Sequence, residues 1–347
     1  MGECHMKKDS VIDFLKGFAI LSVIYGHLAA VTMGGAGLKD NNPLVVALTS
    51  FQMPMFIMIS GYLSESSFEK DRIFRFIKKK IFRIVVPCLV WTAIVSGYRT
   101  FTVGNPFQFR FYFWYLYTLM ACYVIELIIR KILLQFTDRI GYMVVADIFV
   151  VAVMIAFDVK RMFLSSMYPF FVSGIWIRTL AKRKGCSTVT ELVKCVDKKI
   201  RLVMAVFGVG AAVLFQYRWT FYVSDSSRTY IYYLRLVIAF LVISGFVPFV
   251  AWFVGNTSSE KCGKMISFVE RCGSQSLELY LMQTLFIQYI LSDLFRLLVH
   301  NGIMFFAVNR FFVNFILSPV FSVILTCGML YLDKIYKSLR QKMFFLK

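Results

Sequence analysis

Charged residues and histidines are scarce in this sequence, and its cysteines form no recognisable pattern. Only 17% of the 347 residues are charged, whereas a soluble domain carries about a quarter. The eight cysteines contain no CxxC pair and no spacing typical of metal ligands. These scarcities argue against a soluble domain, a disulfide framework and a metal site, so we expect no metal cofactor.

Long apolar runs separate the few charges. Hydrophobic residues make up 59% of the chain, and its mean hydropathy is +0.69. A helix needs about 20 mostly apolar residues to cross a hydrocarbon core about 30 Å thick. The sequence therefore predicts an all-α, polytopic integral membrane protein of about ten transmembrane helices, in a single membrane-embedded domain over residues 1–347. The predicted spans are 12–32, 43–63, 82–101, 111–130, 141–157, 162–180, 201–217, 230–254, 275–299 and 303–331.

Basic residues outnumber acidic residues by 39 to 19, which gives a formal net charge of +20. On a soluble protein this excess would point to a nucleic-acid partner. Here most lysines and arginines lie in connectors on one side of the predicted membrane, as is typical of the cytoplasmic face. We therefore predict that both termini are cytoplasmic, that the basic connectors contact membrane lipid, and that no nucleic acid is bound.

Polar side chains follow one face of the first predicted span. Asp13 and Lys16 lie near its cytoplasmic end, and His27 lies past its middle. At 100° per residue, Lys16 and His27 differ by about 20° around the helix and lie about three turns apart. Ionisable groups inside a span cost roughly 2.5–3.5 kcal/mol on insertion scales, so this stripe predicts a polar path inside the helix bundle.

His27 is the best-placed candidate for a general base. The chain has three histidines, and His5 lies in the N-terminal tail. An imidazole titrates near neutrality, which suits removal of a proton from a hydroxyl that attacks a thioester. The position alone leaves one alternative open, a histidine that only hydrogen-bonds a neighbouring helix.

Four motifs in order along the chain carry a family resemblance. The first is Asp13-Phe14-Leu15-Lys16-Gly17 followed by Gly26-His27, in which ten residues separate the basic residue from the histidine. Residues 51–62 read FQMPMFIMISGY, residues 78–87 read KKKIFRIVVP, and residues 113–116 read FWYL. These motifs resemble those of the acyltransferase 3 family of membrane O-acyltransferases, in the branch related to fucose 4-O-acetylases. One departure is Gln283, where family members commonly have histidine.

The resemblance implies transfer of an acyl group, usually acetyl, to a carbohydrate hydroxyl. The expected donor substrate is cytoplasmic acetyl-CoA or another acyl-CoA, and the expected acceptor is a cell-surface or lipid-linked saccharide. By the same resemblance, His27 is the catalytic base and Lys16 lies near the donor. We accordingly expect a multi-pass protein of a bacterial plasma or inner membrane.

Further candidate residues lie at the ends of the predicted spans. The basic connector before the third span would attract the phosphates of CoA, although attraction to anionic lipid is the simpler explanation for most of it. The donor candidates in this connector are Lys79, Lys80 and Arg83. Carboxylates and hydroxyls bond to sugars and aromatic rings stack on them, although rings at a span end also form the interfacial belt. The acceptor candidates are Asp13, Ser60, Trp114 and Tyr115.

Buried acidic residues should each have a partner, because an isolated carboxylate inside a span is costly. Glu126, Asp147 and Glu278 lie well inside predicted spans. Glu278 lies at a depth similar to that of Lys16, so an ion pair between these two is one candidate arrangement. A structural role is the simpler explanation for all three acidic residues.

Two rival functions fit part of the pattern. A transporter or flippase of a lipid-linked saccharide would also need many spans with polar groups inside, but such proteins often have two matching halves, and we find no such symmetry. A structural or regulatory membrane protein without chemistry is the other rival. The glutamine at Gln283 favours it, whereas the ordered motifs argue against it.

Overall fold

The computed structural model describes residues 9–32, 43–68, 77–78, 80–104, 107, 112–136, 140–156, 163–215, 229–257, 259–300 and 316–345. Every regular element in these ranges is a helix, which confirms the predicted all-α class. The α-helices, numbered in chain order, are α1 (Ser10–Thr32), α2 (Pro43–Ser64), α3 (Val86–Val103), α4 (Trp114–Phe136), α5 (Ile140–Ala156), α6 (Leu164–Arg183), α7 (Val189–Lys194), α8 (Lys198–Phe215), α9 (Thr229–Asn256), α10 (Glu260–Ser274), α11 (Ser276–Gln283), α12 (Ser292–His300) and α13 (Ser318–Phe345).

Shorter helical turns extend several of these elements. A 3₁₀ turn, Glu65–Phe68, follows α2. A π-helix, Ile81–Val85, leads into α3, and a second π-helix, Thr284–Leu291, joins α11 to α12. The segment from Ser276 to His300 is therefore one helical rod whose middle third has π-type hydrogen bonding.

Among the described residues, four helices are long and apolar enough to cross a membrane by length and composition. Their candidate spans are Ser10–Val31, Ile81–Thr102, Leu236–Asn256 and Ser318–Tyr336. A described helix also lies at each of the other predicted spans, and for the last span, 303–331, the described part begins at residue 316. The number of ten spans and the cytoplasmic position of both termini stay predictions.

The structure divides into two compact units. Unit 1 is Met1–Gln52, Val189–Ser227 and Val237–Lys347, and it contains α1, the first part of α2, α7, α8, most of α9, and α10 to α13. Unit 2 is Met53–Thr188 and Arg228–Leu236, and it contains the rest of α2, α3 to α6 and the start of α9. The single domain predicted over residues 1–347 stays a prediction.

Within unit 1, α1 and α10 cross with their backbones in contact. A Cβ atom on Gly17 would overlap the carbonyl oxygen of Val269, and one on Gly273 would overlap the carbonyl oxygen of Asp13. Small residues allow helix backbones to approach this closely. Near the same crossing, the hydroxyl of Ser10 donates to the carboxylate of Glu270. The first turns of α1 are therefore fixed against α10.

Residues 261–271, predicted to connect two spans on the cytoplasmic side, form most of α10. The buried side chains Ile266, Val269 and Cys272 recur every third residue, which places them on one face of the helix. Burial raises the pKa of the Cys272 thiol to about 12, so this thiol stays neutral and packs as an apolar group.

Two other crossings repeat the reciprocal glycine pattern. In unit 1, a Cβ on Gly208 of α8 would lie 2.7 Å from the carbonyl oxygen of Leu241, and one on Gly245 of α9 would lie 2.7 Å from that of Met204. In unit 2, Gly61 of α2 and Gly174 of α6 each approach the facing helix backbone too closely for any side chain. Close glycine crossings are thus the common way in which these helices pack.

Candidate active site

The predicted polar stripe lies on α1, a single unbroken helix. Asp9 caps its start, because the Asp9 side chain accepts from the Val11 amide at 3.1 Å and its carbonyl oxygen accepts from the Asp13 amide at 3.1 Å. Asp13, Lys16 and His27 are half-buried, whereas most of their neighbours on α1 are buried. Eleven residues of helix separate Lys16 from His27 by about 16 Å along the axis.

His27 contacts a glutamine from the π-helix between α11 and α12. The amide nitrogen of Gln288 lies 3.3 Å from Nδ1 and 3.2 Å from Nε2 of the imidazole. Both side chains are half-buried and belong to unit 1. His27 therefore has a polar partner inside a largely apolar helix packing, and this amide lies close to both of its ring nitrogens.

Apolar packing holds the other side of α1 in place. Tyr25 and Ala29 are buried in a cluster with Val45 of α2, and each lies about 160° around α1 from His27. Gly26 lies 4.0 Å, measured from an ideal Cβ position, from the methyl group of Thr49. The face of α1 opposite His27 is thus fixed by packing against α2.

Asp13 and Lys16 form an ion pair on the same stripe. The Lys16 ammonium lies 2.7 Å from Oδ1 of Asp13, and their side chains are 21% and 13% exposed. Such a half-buried pair is screened less than a surface pair. Among the described residues, the ion pair of Lys16 is with Asp13. It is not with Glu278, the partner that similar depth in the membrane suggested.

In unit 2, three of the predicted site residues interact with Tyr123 or with one another. The ammonium of Lys80 donates to the hydroxyl of Tyr123 at 2.7 Å and lies 4.1 Å from the centre of its ring. The Ser60 hydroxyl on α2 interacts with the hydroxyls of both Tyr115 and Tyr123 on α4. Tyr115 and Tyr123 are buried, and Ser60 is half-buried. A continuous set of polar groups therefore runs inside unit 2 from Lys80 to Tyr115.

The remaining predicted site residues are less closely connected. Trp114 packs its ring 4.8 Å from that of Phe163 and edge-on to Tyr115 at 6.3 Å, measured between ring centres. Arg83 lies in the π-helix before α3, and its side chain is exposed. Lys79 lies outside the described residues.

The buried acidic residues of unit 2 have polar partners, as predicted. Glu126 accepts from the Arg130 guanidinium and from the Tyr168 hydroxyl, the latter at 3.1 Å. Asp147 accepts from the indole of Trp176 at 2.9 Å and interacts with Glu126. Oδ1 of Asp147 and Nη2 of Arg130 are buried without a hydrogen-bond partner in the described part of the chain. The ion pair between Arg130 and Glu126 lowers the cost of burying these two charges.

Sequence reasoning missed Gln288 and Tyr123. The sequence does contain a signal for Gln288, because only this amide and Tyr289 interrupt the apolar run from Leu285 to Leu291. Tyr123 gave no such signal, because a tyrosine inside a span is equally typical of apolar packing. Both residues gain meaning only from the side chains that the fold places against them.

The arrangement in unit 1 supplies groups suited to proton transfer. A half-buried imidazole can take and return a proton, and the amide beside it can hold the ring by either a donor or an acceptor atom. His27 is the one histidine whose side chain the structure describes. At one end of the stripe, the ion pair between Asp13 and Lys16 adds a cation on the predicted cytoplasmic side.

Comparison with known proteins decides the family. The acyltransferase 3 family, described as an acyltransferase domain, matches residues 9–332, which is nearly the whole chain. The chain belongs to this family. The resemblance found in the four sequence motifs is thereby confirmed, and His27 and Lys16 both lie inside the matched region.

Two similar curated proteins come from Sinorhizobium fredii and Mesorhizobium japonicum. Nodulation protein NolL of Sinorhizobium fredii is 25% identical over 182 residues, which cover 48% of this chain and 48% of that protein. Nodulation protein NolL of Mesorhizobium japonicum is 29% identical over 89 residues, which cover 25% of this chain and 24% of that protein. The chain thus matches about half, or less, of the length of these relatives. No solved structure matches it significantly.

Proposed function

We propose that this member of the family is a membrane O-acyltransferase that moves an acyl group from cytoplasmic acyl-CoA to a hydroxyl of a cell-surface or lipid-linked saccharide. Acetyl is the first candidate for the acyl group. Family membership supports the reaction class. The observation that supports a particular site is the half-buried imidazole of His27, which lies on α1 within hydrogen-bonding distance of Gln288.

In the proposed reaction, His27 is the general base. Its unprotonated ring nitrogen takes the proton of the acceptor hydroxyl while that oxygen attacks the thioester carbonyl carbon. The new C–O bond forms, the C–S bond breaks, and His27 returns the proton to the departing thiolate of CoA. A positioned base of this kind contributes about 10²–10⁴-fold to a rate.

The donor and acceptor contacts are part of the same proposal. Lys16 is proposed to lie near the acyl donor, because a cation on the His27 face of α1 suits the phosphates and the thioester of an acyl-CoA. Additional CoA contacts are proposed for Lys79, Lys80 and Arg83. For the acceptor sugar, the proposed contacts are Asp13, Ser60, Trp114 and Tyr115.

The proposed topology has ten spans in one domain, cytoplasmic termini, and a bacterial plasma or inner membrane around it. One observation in unit 1 supports it. Asp9 at the start of α1 accepts from the amide of Val189, and Ser10 donates to Glu270, so three segments predicted to be cytoplasmic meet at one place. Membrane lipid is the expected partner of the basic connectors.

The test is the mass of ester-linked acyl groups on surface glycans. Cells carrying the wild-type protein are compared with cells carrying His27→Ala, and with His300→Ala as a histidine control, at matched membrane levels. We expect one acyl mass to be lost with His27→Ala and kept with His300→Ala, a loss of about 100-fold or more for a general base. Unchanged acylation with altered glycan length or export would replace this proposal by a transporter of lipid-linked saccharide.

A further inference from the structure

The amide of Gln288 lies almost equally close to both nitrogens of His27, at 3.3 Å and 3.2 Å. A hydrogen bond along the lone pair of one ring nitrogen would place the amide much nearer to that nitrogen than to the other. The amide therefore lies beside the ring between its two nitrogens. From this position a small rotation of either side chain brings the amide into line with one of them.

The π-helix Thr284–Leu291 places Gln288 against α1. In an α-helix, residues 283 and 288 would differ by about 140° around the axis. The i→i+5 hydrogen bonds of a π-helix reduce this angle, and such segments are frequent at functional sites. Gln283 is 1% exposed, Ile287 is fully buried, and both this π-helix and α11 pack on α1. The side chain that contacts His27 is thus one from the π-helical part of the rod.

A general base needs one defined tautomer of its imidazole. In the neutral ring one nitrogen carries a proton and the other carries a lone pair, and the hydrogen bond made by the first nitrogen determines which is which. The carboxamide of glutamine offers an acceptor oxygen and a donor nitrogen, and a half-turn about its last bond exchanges them. Gln288 can therefore accept the ring N–H through Oε1 and leave the other nitrogen's lone pair for the substrate.

We propose that Gln288 is the positioning residue of His27, which holds the imidazole in the tautomer and orientation that a general base requires. The inference deepens the proposed function and rests on it. In the reaction given above, Oε1 of Gln288 keeps its hydrogen bond to one ring N–H while the other nitrogen takes the hydroxyl proton. The same acceptor then stabilises the transient imidazolium until the proton passes to the thiolate.

The kinetic test compares three substitutions of similar length. Gln288→Met has no hydrogen-bonding group, Gln288→Lys has donors only, and Gln288→Glu has acceptors only. We expect kcat for acyl transfer to fall about 100-fold in the Met and Lys variants, the scale of a misplaced catalytic group. Gln288→Glu should recover most of this loss, and KM for the donor should change little in all three. Each kcat is divided by the amount of folded protein.

The control for packing is Leu285→Ala, which truncates a half-buried apolar residue of the same π-helix. A purely structural role of Gln288 would make the Met, Lys and Glu variants lose activity only as far as folded protein is lost, as Leu285→Ala does. That result, or wild-type kcat in Gln288→Met, would overturn the inference. A recovery by Glu but not by Lys supports it, because both are charged and similar in length.

A second readout needs no acyl transfer. The chain has three histidines, so His5→Ala with His300→Ala leaves His27 as the single source of imidazole ¹⁵N signals. At alkaline pH the ring is neutral. With Gln288 present, we expect separate signals for one protonated and one unprotonated ring nitrogen. In Gln288→Met, we expect the two signals to average because the two tautomers exchange. Identical spectra in both proteins would reject the contact. If the spectra differ but His27→Ala still acylates, the proposed function fails and the positioning contact stands.

Discussion

At the scale of single residues, the electrostatics of the stripe on α1 separate two roles. Lys16 and Asp13 neutralise each other at 2.7 Å, whereas His27 lies about three turns away beside an uncharged amide. No charged residue of the described structure hydrogen-bonds to His27. We infer that Lys16 contributes to binding the donor and His27 to the proton transfer.

This separation predicts the kinetics of Lys16→Met. A hydrogen bond to a charged group contributes about 1.5–3 kcal/mol, so kcat/KM for acyl-CoA should fall about 10- to 100-fold, mostly through KM. Lys16→Arg keeps the charge and should keep most of the activity. Lys16→Met leaves the Asp13 carboxylate without its cation, which should lower the amount of folded protein. Adding Asp13→Asn removes that charge, so the amount of folded protein should recover while KM for the donor stays high. An unchanged donor KM in Lys16→Met would contradict this role.

The sequence alone predicted only part of these residue-scale features. The spacing of Lys16 and His27 was sufficient to place them on one face of α1, because helix geometry determines that relation locally. The partner of His27 was not predictable, because Gln288 lies 261 positions further along the chain and reaches His27 through tertiary packing. Glu126 was likewise expected to have a partner, but the identity of Tyr168 depended on how α4 and α6 meet.

At the scale of helices, close crossings and not salt bridges position the stripe. The crossing of α1 with α10 falls at Gly17, directly after Lys16, and at Gly273, whose facing residue is Asp13. The apolar pattern of α1 predicted the helix, but not its contact with an amphipathic helix formed by residues that resemble a loop in composition. Tertiary packing of an apolar face, and not local hydropathy, explains why α10 is helical.

The crossing makes a prediction for glycine substitutions in α10. Gly273→Ala adds a methyl group where the carbonyl oxygen of Asp13 already lies, and overpacking of this kind costs about 1–3 kcal/mol. Gly263→Ala is the matched control, because a Cβ there meets nothing within 4 Å. Thermal stability of the detergent-solubilised protein should fall for Gly273→Ala and stay or rise for Gly263→Ala. Equal stability of the two variants would disprove the close crossing.

At the scale of the whole molecule, the distribution of charge is the main evidence for the orientation of the chain in the membrane. The basic connectors predict one cytoplasmic face, and in unit 1 the start of α1 contacts both the start of α7 and α10, which belong to the same predicted face. Hydropathy identifies where a chain can cross a membrane but does not give its direction. The direction therefore has to be measured on residues outside the spans.

Cysteine labelling tests the direction of the chain. Cys195, directly after α7, is exposed and predicted to be cytoplasmic, whereas Phe107, between α3 and α4, is 56% exposed and predicted to be on the outer side. In a background without the other seven cysteines, Cys195 should react with a membrane-impermeant maleimide in inverted vesicles and not in intact spheroplasts. A cysteine-free variant carrying Phe107→Cys should show the opposite pattern. Labelling of both positions from the same side would mean an even number of crossings between them. It would reject the ten-span topology, because that topology places three spans between residues 107 and 195 and therefore puts them on opposite faces.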